Sequence, residues 1–123
     1  MSKTVLTIDD SRTMREMLNH ALVEAGYRVL QAVDGVEGLE VLQANGDVID
    51  VVITDINMPR LDGFGVIEGV RASPAHRATP ILVLTTESDA AKKERARSAG
   101  ATGWIVKPFN PVKLVDAVRR VAA

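Results

Sequence analysis

The chain has 123 residues and a mass of 13.2 kDa, which is enough for one hydrophobic core but too little for two domains of ordinary size. Hydrophobic residues make up 46% and charged residues 25%, which excludes disordered, collagen-like and coiled-coil chains. A net charge of -1 argues against general nucleic-acid binding, and no apolar run is long enough for a membrane span or a signal peptide. We therefore expect one domain over residues 1–123, soluble, monomeric and cytoplasmic.

Aromatic residues are only 3% of the chain, so its core must consist mainly of Val, Leu, Ile and Ala, as in a helix-covered parallel sheet. Cysteine is absent, which excludes disulfides, thiolate metal sites and cysteine nucleophiles and fits a reducing compartment.

Short β-branched runs alternate with longer segments of helical period, which predicts repeated strand-helix units. The predicted strands are residues 5–8, 29–32, 51–54, 81–84 and 104–106.

The first predicted helix begins after Ser11 as N-cap and ends at Gly26. Its apolar residues follow the helical period and should face the core. They are Met14, Met17, Leu18, Ala21, Leu22 and Ala25.

Cap and stop residues delimit three further helices. Asp34 caps the second, where Glu37 completes a capping box, and Asn45-Gly46 ends it. The third covers residues 63–72 and stops at Ser73-Pro74. The last helix has Asn110 as cap and Pro111 at its first position.

The segment 89–99 has only four apolar residues, all alanines, so we expect a helix that buries little surface and is a candidate moving part. Five strands alternating with five helices then predict an open, doubly wound parallel α/β sheet of the (βα)5 kind.

Polar residues follow four of the five predicted strands. Asp9 and Asp10 follow the first, Asp55 the third, Thr85 the fourth and Lys107 the fifth. Ligands of open α/β sheets bind beyond the carboxyl ends of the strands. If the second strand lies outside the first, the first and third strands are neighbours and the three carboxylates converge.

Three like charges in one crevice repel unless they are protonated or hold a cation, and oxygen-only ligands suit Mg²⁺. Lys107 is then placed to balance an anion at the metal, and the Thr85 hydroxyl to donate to it. Singly, each group has an ordinary explanation, such as a helix cap for Asp9 or an Asx turn for Asp55. Their joint placement at one sheet edge favours phosphoryl chemistry.

The chain resembles the receiver domains of two-component response regulators, and in particular stand-alone CheY-type regulators of chemotaxis. The resemblance spans the chain in the order and spacing of the family. Its segments are Ile8-Asp9-Asp10-Ser11, Thr54-Asp55-Ile56-Asn57-Met58-Pro59, Asp62-Gly63, Leu84-Thr85-Thr86, Gly100-Ala101 and Val106-Lys107-Pro108-Phe109.

The resemblance implies a flavodoxin-like strand order, 2-1-3-4-5, and a CheA-type histidine kinase that phosphorylates Asp55. It implies that Asp10, Asp55 and the main-chain carbonyl of Asn57 ligate Mg²⁺, with Asp9 acting through water. Lys107 would pair with a phosphoryl oxygen, and the Lys107-Pro108 bond is expected to be cis.

The resemblance also implies a switch, in which Thr85 moves toward the phosphoryl group and Trp104 follows inward. The family usually has Tyr or Phe at the position of Trp104, and a Trp packed on an edge strand is the alternative interpretation. The expected partner face combines helix 4, strand 5 and helix 5. Its charged and aromatic residues are Lys92, Lys93, Arg95, Arg97 and Trp104.

Two further positions, Asn57 and Glu87, tune the lifetime of the phosphoryl group in the family, and we expect a short-lived state. His20 and His76 are interpreted as surface residues remote from the acid cluster.

Several functions remain open. The switch could bind the flagellar motor switch protein or another downstream protein, or it could act as a phosphate sink that drains a shared kinase. A Mg²⁺-dependent phosphohydrolase with an aspartate nucleophile would need a second acid where Asn57 stands, so catalysis beyond self-phosphorylation and autodephosphorylation is not expected. An inert scaffold would be expected to lack the acceptor, an acid or the lysine, all of which are present.

Overall fold

The computed structural model describes residues 2–122, with only the backbone of residue 47. Five parallel strands form one sheet in the order β2-β1-β3-β4-β5, which confirms the expected fold and strand order. The strands are β1 Thr4–Ile8, β2 Arg28–Ala32, β3 Ile49–Thr54, β4 Ile81–Thr85 and β5 Gly103–Val106. Their bounds differ from the predicted ones by at most two residues.

Five helices cover both faces of the sheet, and two 3-10 turns, Gly46–Val48 and Pro74–His76, lie between elements. The helices are α1 Arg12–Glu24, α2 Gly35–Ala44, α3 Gly63–Ala72, α4 Ala90–Ala99 and α5 Pro111–Ala122. One core cluster joins α1 and α5 to the sheet. A second cluster joins α2, α3 and α4 to the opposite face.

Side-chain caps begin α1, α4 and α5, and those of α1 and α5 are the ones that the sequence predicted. The Ser11 hydroxyl accepts from the amide of Met14, and the Asn110 carboxamide oxygen accepts from the amide of Val112. The first amides of α4 donate to Asp89.

The capping box at α2 is shifted by one residue. Asp34 accepts from the amide of Glu37 as predicted, but the Glu37 carboxylate accepts from the amide of Val33 rather than that of Asp34. The Glu37 side chain therefore satisfies the amide of Val33, the residue before the N-cap.

α4 buries little, as its composition predicted, and only Ala96 of its ten residues is fully buried. A helix that buries so little apolar surface gains little stabilisation from burial, which leaves it free to move relative to the core.

Met17 was predicted to face the core, but 45% of it is exposed. It borders a groove of about 710 Å³ between α1 and α5, whose apolar lining includes Ala21, Phe109, Val112 and Val115. The predicted apolar stripe of α1 is therefore only partly covered by α5.

His76 was predicted to be a surface residue, and this prediction is wrong because only 2% of it is exposed. Arg71 of α3 donates to the carbonyls of His76, Thr79 and Gly100, which draws the polar loop onto α3. The ring Nδ1 lies 3.0 Å from the Thr79 hydroxyl. His20 is exposed, as predicted.

Among residues 2–122, no helix has the length and apolar character that a membrane crossing requires.

Candidate functional site

The carboxyl ends of β1 and β3 bring the predicted acidic residues together. Ile8 pairs with Thr54 in the ladder, so the residues that follow, Asp9 and Asp55, lie side by side. The Asp55 amide donates to the Ile8 carbonyl at 3.0 Å. One carboxylate oxygen each from Asp9, Asp10 and Asp55 lies within 4.8 Å of the others, so the predicted cluster forms.

Lys107 reaches this cluster from the end of β5. Its Nζ lies 2.8 Å from Oδ2 of Asp9 and 2.8 Å from Oδ2 of Asp55. Its own amide donates to the Thr85 carbonyl at 2.8 Å, and the Lys107-Pro108 peptide bond is cis, as expected. One buried ammonium group therefore joins two strands that are not neighbours of β5.

The remaining oxygens of the two buried carboxylates accept from backbone amides. Oδ1 of Asp55 accepts from Ile56 at 2.6 Å, and Oδ1 of Asp9 accepts from Ser11 at 2.9 Å. Asp10 is exposed, at the mouth of the cluster. Hydrogen bonds to ionised carboxylates are stronger than neutral ones, so the orientations of Asp9 and Asp55 are well defined.

Burial raises the pKa of Asp9, although the hydrogen bonds from Lys107 and Ser11 oppose that effect. For Lys107, burial favours a lower pKa, but the hydrogen bonds to Asp55 and Asp9 outweigh burial and the pKa is raised. The ammonium group is therefore charged at neutral pH, while the ionised form of Asp9 lacks full compensation.

The donor set fits a hard divalent cation. Three carboxylates against one ammonium leave two uncompensated negative charges when all are ionised. The ligands are oxygens, and the exposed Asp10 leaves space for water molecules on a bound ion, both of which suit Mg²⁺.

Gly63, at the start of α3, supports the chain that carries Asp55. Its amide donates to the Ile56 carbonyl at 2.9 Å, and a Cβ atom at Gly63 would collide with the Asp55 carbonyl oxygen. The turn after β3 thus returns directly beneath Asp55. Only the resemblance singled out this glycine, because a close backbone approach leaves no trace in apolar periodicity.

Glu87, on the loop between β4 and α4, forms hydrogen bonds with other predicted site residues, among them Asn57, Thr85 and Trp104. Its amide donates to the Thr85 hydroxyl at 3.3 Å, and its carbonyl accepts from the indole of Trp104 at 3.1 Å. Its Oε1 accepts from the Asn57 carboxamide at 3.1 Å and from the Lys92 ammonium at 3.0 Å. The hydrogen bonds from Lys92 and Asn57 lower the pKa of Glu87.

The four cationic residues of α4 have different neighbours. Lys92 contacts Glu87, and the Arg95 guanidinium lies 3.9 Å from the centre of the Phe64 ring, toward α3. Lys93 and Arg97 line a cavity of about 130 Å³ with Trp104. Arg97 also lies 3.8 Å from the Glu94 carboxylate. The role of these residues in a partner face stays a prediction.

Buried carboxylates and a lysine at the carboxyl edge of a five-stranded parallel sheet fit the resemblance noted above. The model of the response regulator receiver domain family matches residues 5–119, and the chain belongs to this family. Its relatives include chemotaxis proteins. The chain is 42% identical to chemotaxis protein CheY1 of Helicobacter pylori strain J99, over 95% of this chain and 94% of the relative.

Other relatives carry similar names. A chemotaxis protein CheY homolog of Campylobacter jejuni is 40% identical over 95% of this chain and 90% of the relative. The solved structure of chemotaxis protein CheY4 of Vibrio cholerae is 45% identical, with a TM-score of 0.93 over 98% of this chain and 99% of that one.

Proposed function

We propose that this receiver domain is the phosphoacceptor switch of a chemotaxis pathway. It takes a phosphoryl group from a CheA-type histidine kinase onto Asp55 with Mg²⁺, in the cytoplasm. The observation that carries the proposal is the pair of 2.8 Å contacts from Lys107 to Asp9 and Asp55. These contacts support a site in which the Lys107 ammonium group holds the acceptor carboxylate of Asp55 beside the carboxylate of Asp9.

Asp55 is the nucleophile in this proposal. Its oxygen forms a bond to the phosphorus of the phosphohistidine, the bond between phosphorus and the imidazole nitrogen breaks, and the imidazole takes a proton. The residues that would hold Mg²⁺ are Asp9, Asp10, Asp55 and, through its main-chain carbonyl, Asn57. A bound Mg²⁺ supplies positive charge that offsets the negative charge of the transferring phosphoryl group. The hydrogen bond from Ile56 to Oδ1 keeps the Asp55 carboxylate in one orientation during the attack.

Lys107 then pairs with a phosphoryl oxygen. Its short contact with Oδ2 of Asp55 supports this role, because phosphorylation converts one carboxylate oxygen into the bridging oxygen of an acyl phosphate, which carries less charge. The ammonium group needs only a small movement to follow the charge onto the phosphoryl group, which lies beyond that oxygen.

The switch uses Thr85 and Trp104 through Glu87. The Thr85 hydroxyl accepts from the Glu87 amide, so its proton remains available to donate to a phosphoryl oxygen. Trp104 donates to the Glu87 carbonyl, which ties β5 to the same loop. A shift of Thr85 is therefore transmitted to the surface around Trp104, Lys93 and Arg97.

Two outputs remain for this surface: binding of the flagellar motor switch protein or another downstream protein, and service as a phosphate sink. In both, water also removes the phosphoryl group, and Asn57 and Glu87 tune the rate. Their direct contact at 3.1 Å supports a shared role. The aspartate-nucleophile phosphohydrolase is disfavoured, because the carboxamide of Asn57 cannot act as a general acid.

The test follows intact mass and the fluorescence of Trp104, the only tryptophan, while Mg²⁺ and then acetyl phosphate or beryllofluoride are added. We expect a Mg²⁺-dependent mass increase of one phosphoryl group with acetyl phosphate, and a saturable fluorescence change with either reagent. Both should be lost in Asp55→Asn. A wild-type protein whose mass and fluorescence do not respond would refute the proposal and favour an inert scaffold.

A further inference from the structure

The Glu87 carboxylate is held at one oxygen by two donors from different elements. Asn57, on the turn after β3, and Lys92, on the first turn of α4, both donate to Oε1, at 3.1 Å and 3.0 Å. Among the hydrogen bonds of residues 2–122, none uses Oε2, so that oxygen is available to accept from a water molecule. The side chain therefore has a fixed position and a remaining acceptor.

We propose that Lys92 is a positioning residue that holds Glu87 against Asn57 and thereby sets the lifetime of phosphorylated Asp55. The inference rests on the proposed function and deepens it. In the hydrolysis, a water oxygen forms a bond to phosphorus and the bond between phosphorus and the Asp55 oxygen breaks. The products are the Asp55 carboxylate, hydrogen phosphate and a proton that the solvent takes.

Fixing Glu87 favours this reaction because a fixed acceptor orients a water molecule better than a mobile one does. A glutamate without partners samples several rotamers, and the contact with Asn57 alone would have to select one of them. Lys92 supplies the second contact, and its charge makes that contact the stronger of the two.

The same ion pair contributes little to the stability of the fold. The side chains of Lys92 and Glu87 are 43% and 27% exposed, and pairs of this kind add little to the free energy of unfolding. A change in phosphoryl lifetime without a change in thermal unfolding therefore separates positioning from a structural role.

The location of Lys92 also links the lifetime to α4. Because α4 buries only Ala96, a rearrangement of this helix moves Lys92 at little cost and carries Glu87 with it. No other cation of α4 is placed for this role: Lys93 and Arg97 line the cavity beside Trp104, and Arg95 stacks on Phe64.

The experiment labels the protein with acetyl phosphate, removes the donor, and follows the loss of the phosphoryl group by intact mass in the presence of Mg²⁺. We expect Lys92→Met to slow the loss about twofold to fivefold, a range that fits an exposed ion pair, and Lys92→Arg to restore it. Lys113→Met removes one exposed charge from α5 and is the matched control, with an unchanged rate. In a Glu87→Ala background, Lys92→Met should have no further effect.

Three outcomes would overturn the inference. The first is an unchanged or faster loss in Lys92→Met, and the second is an effect of the same size in the Glu87→Ala background. Both leave the proposed function intact, since the wild-type protein is labelled in each. A wild-type protein that is never labelled overturns the proposed function together with this inference.

Discussion

The guanidinium group of Arg60 forms a two-point contact with the carboxylate of Asp34. Nε lies 2.7 Å from Oδ2, and Nη2 lies 3.2 Å from Oδ1. Asp34 is also the N-cap of α2, while Arg60 lies on the turn between β3 and α3, the turn that carries Asn57. The pair of Arg60 and Asp34 therefore connects the turn between β3 and α3, which lies beside the acid cluster, to the start of α2.

This contact makes part of the stability pH-dependent. The hydrogen bond from Arg60, with that from the Glu37 amide, lowers the pKa of Asp34 below its ordinary value of 3.8. The stabilisation is complete above about pH 3.8 and is lost as the pH falls through the lower pKa of the folded state. We expect Asp34→Asn, which keeps a capping side chain, to unfold at a lower temperature than wild type at neutral pH.

Thermal unfolding from neutral to strongly acidic pH tests this prediction. The difference between Asp34→Asn and wild type should shrink as the pH falls below 3.8 and through the lower pKa of folded Asp34, since both proteins then carry an uncharged side chain at this position. A difference that stays constant at every pH would show that the loss comes from the cap and not from the charge.

Arg60 itself has a left-handed backbone conformation, with φ of 67°. Arg60→Ala and Arg60→Gly both remove the contact with Asp34, but only glycine adopts this conformation without strain. We expect Arg60→Gly to be more stable than Arg60→Ala by about 1 kcal/mol, measured by urea unfolding. Equal stabilities would mean that the turn relaxes to another conformation in Arg60→Ala.

Gly63 is the position where the fold and the site are most directly coupled. A Cβ atom there would overlap the Asp55 carbonyl and come within 2.8 Å of the Ile56 Cα atom. We expect Gly63→Ala to lower the free energy of unfolding by about 1 to 3 kcal/mol, the usual cost of overpacking, and to slow the phosphorylation of Asp55.

The matched control is Gly26→Ala. Gly26 has φ of 94°, but a Cβ atom there would meet nothing within 4 Å. We expect this variant to lose about 1 kcal/mol through backbone strain alone and to be phosphorylated at the wild-type rate. If Gly63→Ala were also phosphorylated at that rate, the backbone beneath Asp55 would not control its reactivity.

Much of the fold was predictable because its determinants are local in the sequence. The caps at Ser11, Asp34 and Asn110, and the β-branched strands, act over a few residues and leave a readable pattern. The acid cluster was predictable for a related reason: parallel strands end at one edge, and β1 and β3 are neighbours when β2 lies outside β1, so the acids that follow these two strands meet there.

What the sequence did not reveal depends on long side chains that connect distant segments. Arg71 draws the loop of His76 onto α3, and Lys92 reaches back to Glu87. An exposed cation in a helix can pair with many neighbours, so neither contact could be inferred from spacing. The burial of His76 and the separate roles of Lys92 and Lys93 appear only once α3, α4 and β4 are packed together.

Removal of Lys107 is the most direct test of the charge balance at the site. Lys107→Met leaves Asp9 and Asp55 buried beside each other without the ammonium group that contacts both. We expect the free energy of unfolding at neutral pH to fall by about 3 kcal/mol, because breaking a buried ion pair leaves uncompensated charge. Adding Mg²⁺ should raise the free energy of unfolding more in this variant than in wild type, since a cation bound by the three carboxylates replaces the missing positive charge. Urea unfolding with and without millimolar MgCl₂ measures both effects, and Lys113→Met controls for the loss of a lysine elsewhere. A variant that Mg²⁺ stabilises no more than wild type would mean that the carboxylates are protonated rather than metal-binding when Lys107 is absent.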